Sequence, residues 1–223
     1  MPIGWFVGLS ASTILFFILH LTSSTALYKK RFEHTYDVRN HFPYEFNYQS
    51  PFNINLLGNI ALILASALSV GFFSLTATKV TTNGYVLYSL IAGCIYSILI
   101  CVIHFIPLKY MKTHLIFTVL LLASAFVSPC AIGLGAIAHY QDTKEAFSLV
   151  IFIISMVVGG FYFLLAMNPK LSPNIKMIAA KDEQGNEIYL RPKFIAMAFS
   201  EWMAIFGLAL SHILLILLLI AIL

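Results

Sequence analysis

One acidic side chain, Glu201, lies inside a hydrophobic stretch of this sequence, next to Trp202 in an otherwise almost unbroken apolar run from Phe194 to Leu223. At membrane depth an ionisable group costs roughly 2.5 to 3.5 kcal/mol on insertion scales, so Glu201 is expected to face protein or water rather than lipid. A carboxylate so placed can bind a cation or pass a proton. It lies about 10 Å in from Phe194 at 1.5 Å per helical residue, and His20, Asn55, Asn59 and His104 lie at similar depths in their own apolar stretches. Together they read as one polar ligand-binding site within the membrane. Amides in hydrocarbon need partners, so Asn55 or Asn59 is the expected partner of Glu201. The opposing reading is a structural glutamate that reaches back to Arg191 or Lys193, because long side chains snorkel.

His212 follows Glu201 by eleven residues, three turns on and within about 20° of the same face. At about 16 Å from Glu201 it cannot share a metal with it, but it extends a polar stripe of Ser200, Glu201, Ser211 and His212 along the helix. His20 and His104 offer a second chemistry, since paired histidines at equal depth on facing helices can hold a single haem. A third set is Glu33, His34, Asp37 and His41. On a helix, Glu33, Asp37 and His41 fall at four-residue steps that can bind a divalent metal, although Lys29 with Glu33 already makes an ordinary helical ion pair. No phosphate-cradling glycine loop, zinc-protease histidine pair or serine nucleophile elbow is present, so nothing points to an enzyme. The sequence requires no cofactor.

These residues must be positioned by helices in a bilayer. The 223 residues are 60% hydrophobic and 10% charged, with mean hydropathy +0.90, where a soluble domain carries about 25% charged residues. Six stretches have the roughly 20 apolar residues that a crossing needs: Ile3 to Ser23, Phe52 to Leu75, Gly84 to Ile106, Thr113 to Ile137, Ala146 to Met167, and Phe194 to Leu223. The fold class is therefore an all-α integral membrane protein, a six-helix transmembrane bundle in one polytopic domain over residues 1–223. The three cysteines, Cys94, Cys101 and Cys130, all fall within these stretches and read as small packing residues.

The net charge of +4 is explained by its distribution and calls for no nucleic acid. Lys29, Lys30, Arg31, Arg39, Lys109, Lys112, Lys170, Lys176, Lys181, Arg191 and Lys193 fall in the loops of one face, leaving Lys79 and Lys144 on the other. The positive-inside rule then puts both termini outside and both long loops, 24–51 and 169–193, in the cytoplasm, with the plasma membrane as the expected location.

In the first long loop Tyr28, Phe32 and Tyr36 recur at helical spacing, which predicts an extension of the first helix that ends before Pro43. Phe42, Tyr44, Phe46, Tyr48 and Phe52 follow and suit the headgroup region or the helix ends. In the second, two strand-like runs around Gly185 and Asn186 predict a small β-hairpin. Small residues and three asparagines, Asn53, Asn55 and Asn59, mark a helix-contacting face on the second stretch, and Pro129 is expected to kink the fourth.

Two function classes follow. The first is a small transporter-like or ligand-binding protein, with a site for a cation or a proton-coupled solute near the cytoplasmic side. The second is a non-catalytic subunit or assembly factor that docks a protein partner through its cytoplasmic loops. A single-haem or metal-binding protein is a further alternative.

Overall fold

The computed structural model describes residues 2–47, 54–78, 84–171, 178–181 and 187–222. Among the described residues six helices are long and apolar enough to cross a membrane: α1 Ile3–Phe32, α2 Leu56–Ala77, α3 Gly84–Ile103, α4 Met111–Thr143, α5 Ala146–Ala166 and α6 Ala196–Ile222. Consecutive helices from α1 to α5 pack against each other, and α6 touches α1, α3, α4 and α5. The chain is an all-α six-helix bundle, a polytopic membrane protein with α6 near its centre. In hydrocarbon a helix satisfies its own backbone, so what remains to be paired is the side chains.

Close approach to α6 depends on a missing side chain. A Cβ on Gly207 would meet the hydroxyls of Tyr162 and Tyr96. With glycine there, Tyr96 donates to the carbonyl of Ala204 and Tyr162 to that of Met203 at 3.0 Å. α3 and α5 are thereby pinned to the α6 backbone. α4 continues as helix through Pro129, and the hydroxyl of Ser128 is buried with no hydrogen-bond partner.

α1 stops earlier than its aromatic spacing predicts. Glu33 adopts a left-handed conformation (φ 58°), its N–H closing on the carbonyl of Lys29 at 3.0 Å. The chain then turns back toward the bundle, and Pro43–Asn47 forms a 3-10 turn. Tyr28, Tyr36, Phe42 and Phe46 gain more by packing on one another and on α6 than by running out along a helix face: Tyr36 stacks on Phe46 at 4.3 Å and meets Trp202 at 5.7 Å. Tyr48, Phe52 and Asn53 lie outside the described residues.

In the second long loop β1 (Ile178–Lys181) pairs antiparallel with β2 (Glu187–Leu190), Ile178 opposite Leu190. Gly185 and Asn186 lie outside the described residues.

Candidate functional site

Glu201 is wholly buried, but its partners are on α4. Its Oε1 lies 3.0 Å from Nε2 of His114 and 2.6 Å from the hydroxyl of Thr118. The expected partnership with Asn55 or Asn59 is not what forms. Asn55 exchanges hydrogen bonds with Ser24 of α1, and Asn59 donates to Asn47 at 3.0 Å. Nor does the carboxylate reach back to Arg191, which holds Glu45 instead. His114 and Thr118 were missed, yet a signal was available: an i, i+4 polar pair at the loop end of α4, level with Glu201.

The hydrogen-bond partners define how many protons this group holds. His114 Nδ1 faces the carbonyl of Ile106 at 3.1 Å, which can only accept, so this nitrogen carries hydrogen. One further proton serves the contact between Nε2 and Oε1. On nitrogen it makes an imidazolium–carboxylate pair, and on oxygen a neutral acid–imidazole pair. Both are net neutral, which suits two side chains of zero exposure, because an uncompensated buried charge is costly. Thr118 has one hydroxyl proton to divide between Oε1 and the carbonyl of His114 at 2.9 Å. Oε2 of Glu201 is buried with no partner.

On the other side of α6 the structure brings His20 and His104 together, with ring centroids 4.9 Å apart and planes at 78°. His20 Nδ1 faces the carbonyl of Gly58 at 2.9 Å and His104 Nδ1 that of Ile100 at 2.7 Å. Both contacts place hydrogen on Nδ1 and leave Nε2 as a bare lone pair, and both Nε2 atoms are buried without a partner. Phe17, Phe46 and Trp202 pack on the two rings at 5.6 to 6.1 Å. The two imidazoles meet edge-on with no gap between them for a flat macrocycle, so the pair does not fit haem.

The first long loop covers both groups. Phe42 lies edge-on to His114 at 5.6 Å, while Asn47 donates to the carbonyl of His104 at 3.1 Å. The indole N–H of Trp202 points at the carbonyl of His41 at 2.8 Å, with the Tyr36 hydroxyl at 3.2 Å. Arg191 closes the cover from the second loop, its two terminal nitrogens each 2.7 Å from a Glu45 oxygen. The N–H of Ile195 donates to the carbonyl of Arg39 at 2.9 Å.

His212 belongs to a different layer. Its nitrogens bond Ser69 at 2.8 Å and Ser10 at 3.2 Å, and Ser69 bonds Ser97 at 2.6 Å. This chain ties α1, α6, α2 and α3 together across the bundle. Both nitrogens are engaged, so His212 has no lone pair to offer a ligand.

The set of Glu33, His34, Asp37 and His41 loses its helical spacing where α1 ends at Phe32. His34 bonds Tyr28 and the carbonyl of Phe32, Asp37 pairs with Arg39, and His41 Nδ1 faces the carbonyl of Asp37. Among the described residues no group of three or more His, Cys, Asp or Glu side chains could hold a metal.

Burial holds the His41 imidazole below its usual pKa of 6.5, against smaller opposing effects from Glu45 and the Asp37 carbonyl. The folded state therefore binds fewer protons than the unfolded chain just below that pH. The contribution is present above pH 6.5 and is lost as pH falls through the lower folded value. Loop 1 is expected to become more susceptible to trypsin at Arg39 as pH drops from 7.5 to 5.5, after correction for the protease's own pH profile. His41→Gln should flatten that change, and an equal change in the variant would show that another group is responsible.

Compared with known proteins, the chain matches no protein-family model, no curated protein and no solved structure, so its function is read from its own residues.

Proposed function

We propose that this is a small transporter-like or ligand-binding membrane protein in which Glu201 and His114 load and release a proton, or exchange it for a small cation. One observation carries the reading: a fully buried carboxyl group shares a proton with an imidazole and keeps its second oxygen unpartnered. A purely structural acid would be expected to have both oxygens satisfied. The charge distribution supports both termini outside and the covered site toward the cytoplasm. In that orientation the first loop is the barrier between the site and the cytoplasmic solution.

Liposomes holding the purified protein and an internal pH dye test this directly under an imposed proton or cation gradient. Wild-type protein should dissipate the gradient at least tenfold faster than Glu201→Gln, which keeps the side chain's shape but cannot ionise. Equal rates for the two proteins would sink the reading.

The docking alternative keeps one supporting observation, the β1–β2 hairpin with Ile178 and Leu190 both about half exposed. The aromatic first loop no longer supports it, because Phe42 and Phe46 are buried in the chain's own bundle. A stoichiometric protein retained after mild detergent extraction, and lost when the hairpin is replaced by a glycine-serine linker, favours this alternative.

A further inference from the structure

We propose that His20 and His104 together form a two-imidazole site for a soft monovalent metal cation of the copper(I) or silver(I) class, bound through their two Nε2 atoms. This names the cation and the residues that hold it, and it rests on the cation-exchange reading above.

A metal-binding histidine characteristically donates its other ring N–H to a carbonyl or carboxylate, which orients the ring and raises the basicity of the ligating nitrogen. His20 and His104 each show that arrangement, with a backbone carbonyl within 3 Å of Nδ1. Their rings touch, and both Nε2 atoms are buried with nothing bonded to them. A buried acceptor without a donor is destabilising. Two such acceptors on adjoining rings are explained together by one electrophile that takes both.

Hard cations such as magnesium and calcium call for oxygen ligands, whereas imidazole suits later transition metals. Zinc normally takes four ligands, and among the described residues no third His, Cys, Asp or Glu joins this pair. A coordination number of two suits d10 monovalent ions. Both imidazoles are neutral and the surroundings are aromatic, formed by Phe17, Phe46 and Trp202. The cost of burying an ion grows with the square of its charge, so buried neutral surroundings favour a single charge over two.

Neither Nε2 carries hydrogen, so the ion displaces no proton from the rings that bind it, and the site gains one positive charge. His104 packs on Trp202, the residue next to Glu201, and loss of the proton shared by His114 and Glu201 would restore neutrality. The metal goes in as the proton leaves, with no change of oxidation state.

The test uses full-length protein in detergent with Cys94, Cys101 and Cys130 replaced by alanine, titrated with silver(I) against a competing chelator. One equivalent should bind, releasing about one proton into a weak buffer. His20→Phe and His104→Phe should each weaken binding at least a hundredfold, while His20→Met, which keeps a soft donor, should recover much of it. Thermal unfolding of each variant separates lost binding from lost folding. Binding that is unchanged in the folded His20→Phe, His104→Phe double variant, or no binding at all, overturns the site. If silver fails to bind while Glu201-dependent proton flux persists, this inference falls and the transport reading stands. Silver binding with identical flux in wild type and Glu201→Gln fails the transport reading instead.

Discussion

Replacing His114 by leucine should destabilise the protein by about 3 to 5 kcal/mol, the range for removing one partner of a buried ion pair and stranding the other. The stranded group is Glu201, which would keep Thr118 alone as a partner for its two oxygens. The comparison that isolates the pair is the double variant His114→Leu, Glu201→Leu. Replacing both buried polar groups with apolar ones is often neutral or better, so the double variant should recover much of the stability lost in the single one. Glu201→Gln should be milder than either single leucine change, because an amide can still bond both His114 and Thr118. Equilibrium unfolding of the wild type, the two single leucine variants and the double variant in mixed detergent micelles gives the coupling directly. Additive losses in the double variant would mean that the two side chains are not a unit, and the proton-sharing account would fail with them.

Trp202→Ala is expected to show a loss of similar size, about 3 to 5 kcal/mol for a large aromatic removed from a packed core, with a second consequence at a distance. Trp202 is wholly buried and its N–H reaches the carbonyl of His41 in the first loop. Phe46 and Tyr36 pack on its ring at 5.7 Å. Removing it takes away the anchor that holds the loop over His20, His104 and His114, so trypsin should cut after Arg39 much faster than in the wild type. Trp202→Phe separates the two effects. It retains most of the packing and loses one hydrogen bond, worth about 0.5 to 1.5 kcal/mol. If Trp202→Ala leaves both unfolding and cleavage unchanged, the loop is held by Glu45 and Arg191 rather than by the α6 aromatic.

These two side chains also explain why the bundle closes at this end. Glu201 and Trp202 are consecutive, so on a helix they point about 100° apart. One looks to α4, while the other looks to His104 and the first loop. A single turn of α6 therefore organises two polar groups, the proton-sharing pair and the imidazole pair. The Glu45–Arg191 contact then joins the two long loops above them. It is bidentate and more buried than the Asp37–Arg39 pair. Exposed pairs of the latter kind contribute little to stability.

Amino-acid composition and the lengths of the apolar stretches were enough to determine six helices and one bundle. A bilayer leaves only helices or closed barrels to satisfy the backbone, and unbroken apolar runs of this length lack the apolar–polar alternation of barrel strands. The sequence also marked Glu201 as a group that must face inward, because lipid penalises it wherever its helix lies, and it placed His20 and His104 at matching depths. What it could not decide was rotation. Depth along the membrane normal is counted from residue number, so several polar groups qualified equally as partners for Glu201. Which of them it meets depends on how far each helix is turned about its own axis. That is settled by packing such as the close approach of Tyr96 and Tyr162 at Gly207. The result gave Glu201 to His114 and Thr118, Asn55 to Ser24 and Asn59 to Asn47. The end of α1 was placed too late for the same kind of reason. The spacing of Tyr28, Phe32 and Tyr36 is consistent with a longer helix, and only the apolar surface offered by Trp202 and Phe46, distant in sequence, makes the turn at Glu33 the more stable choice.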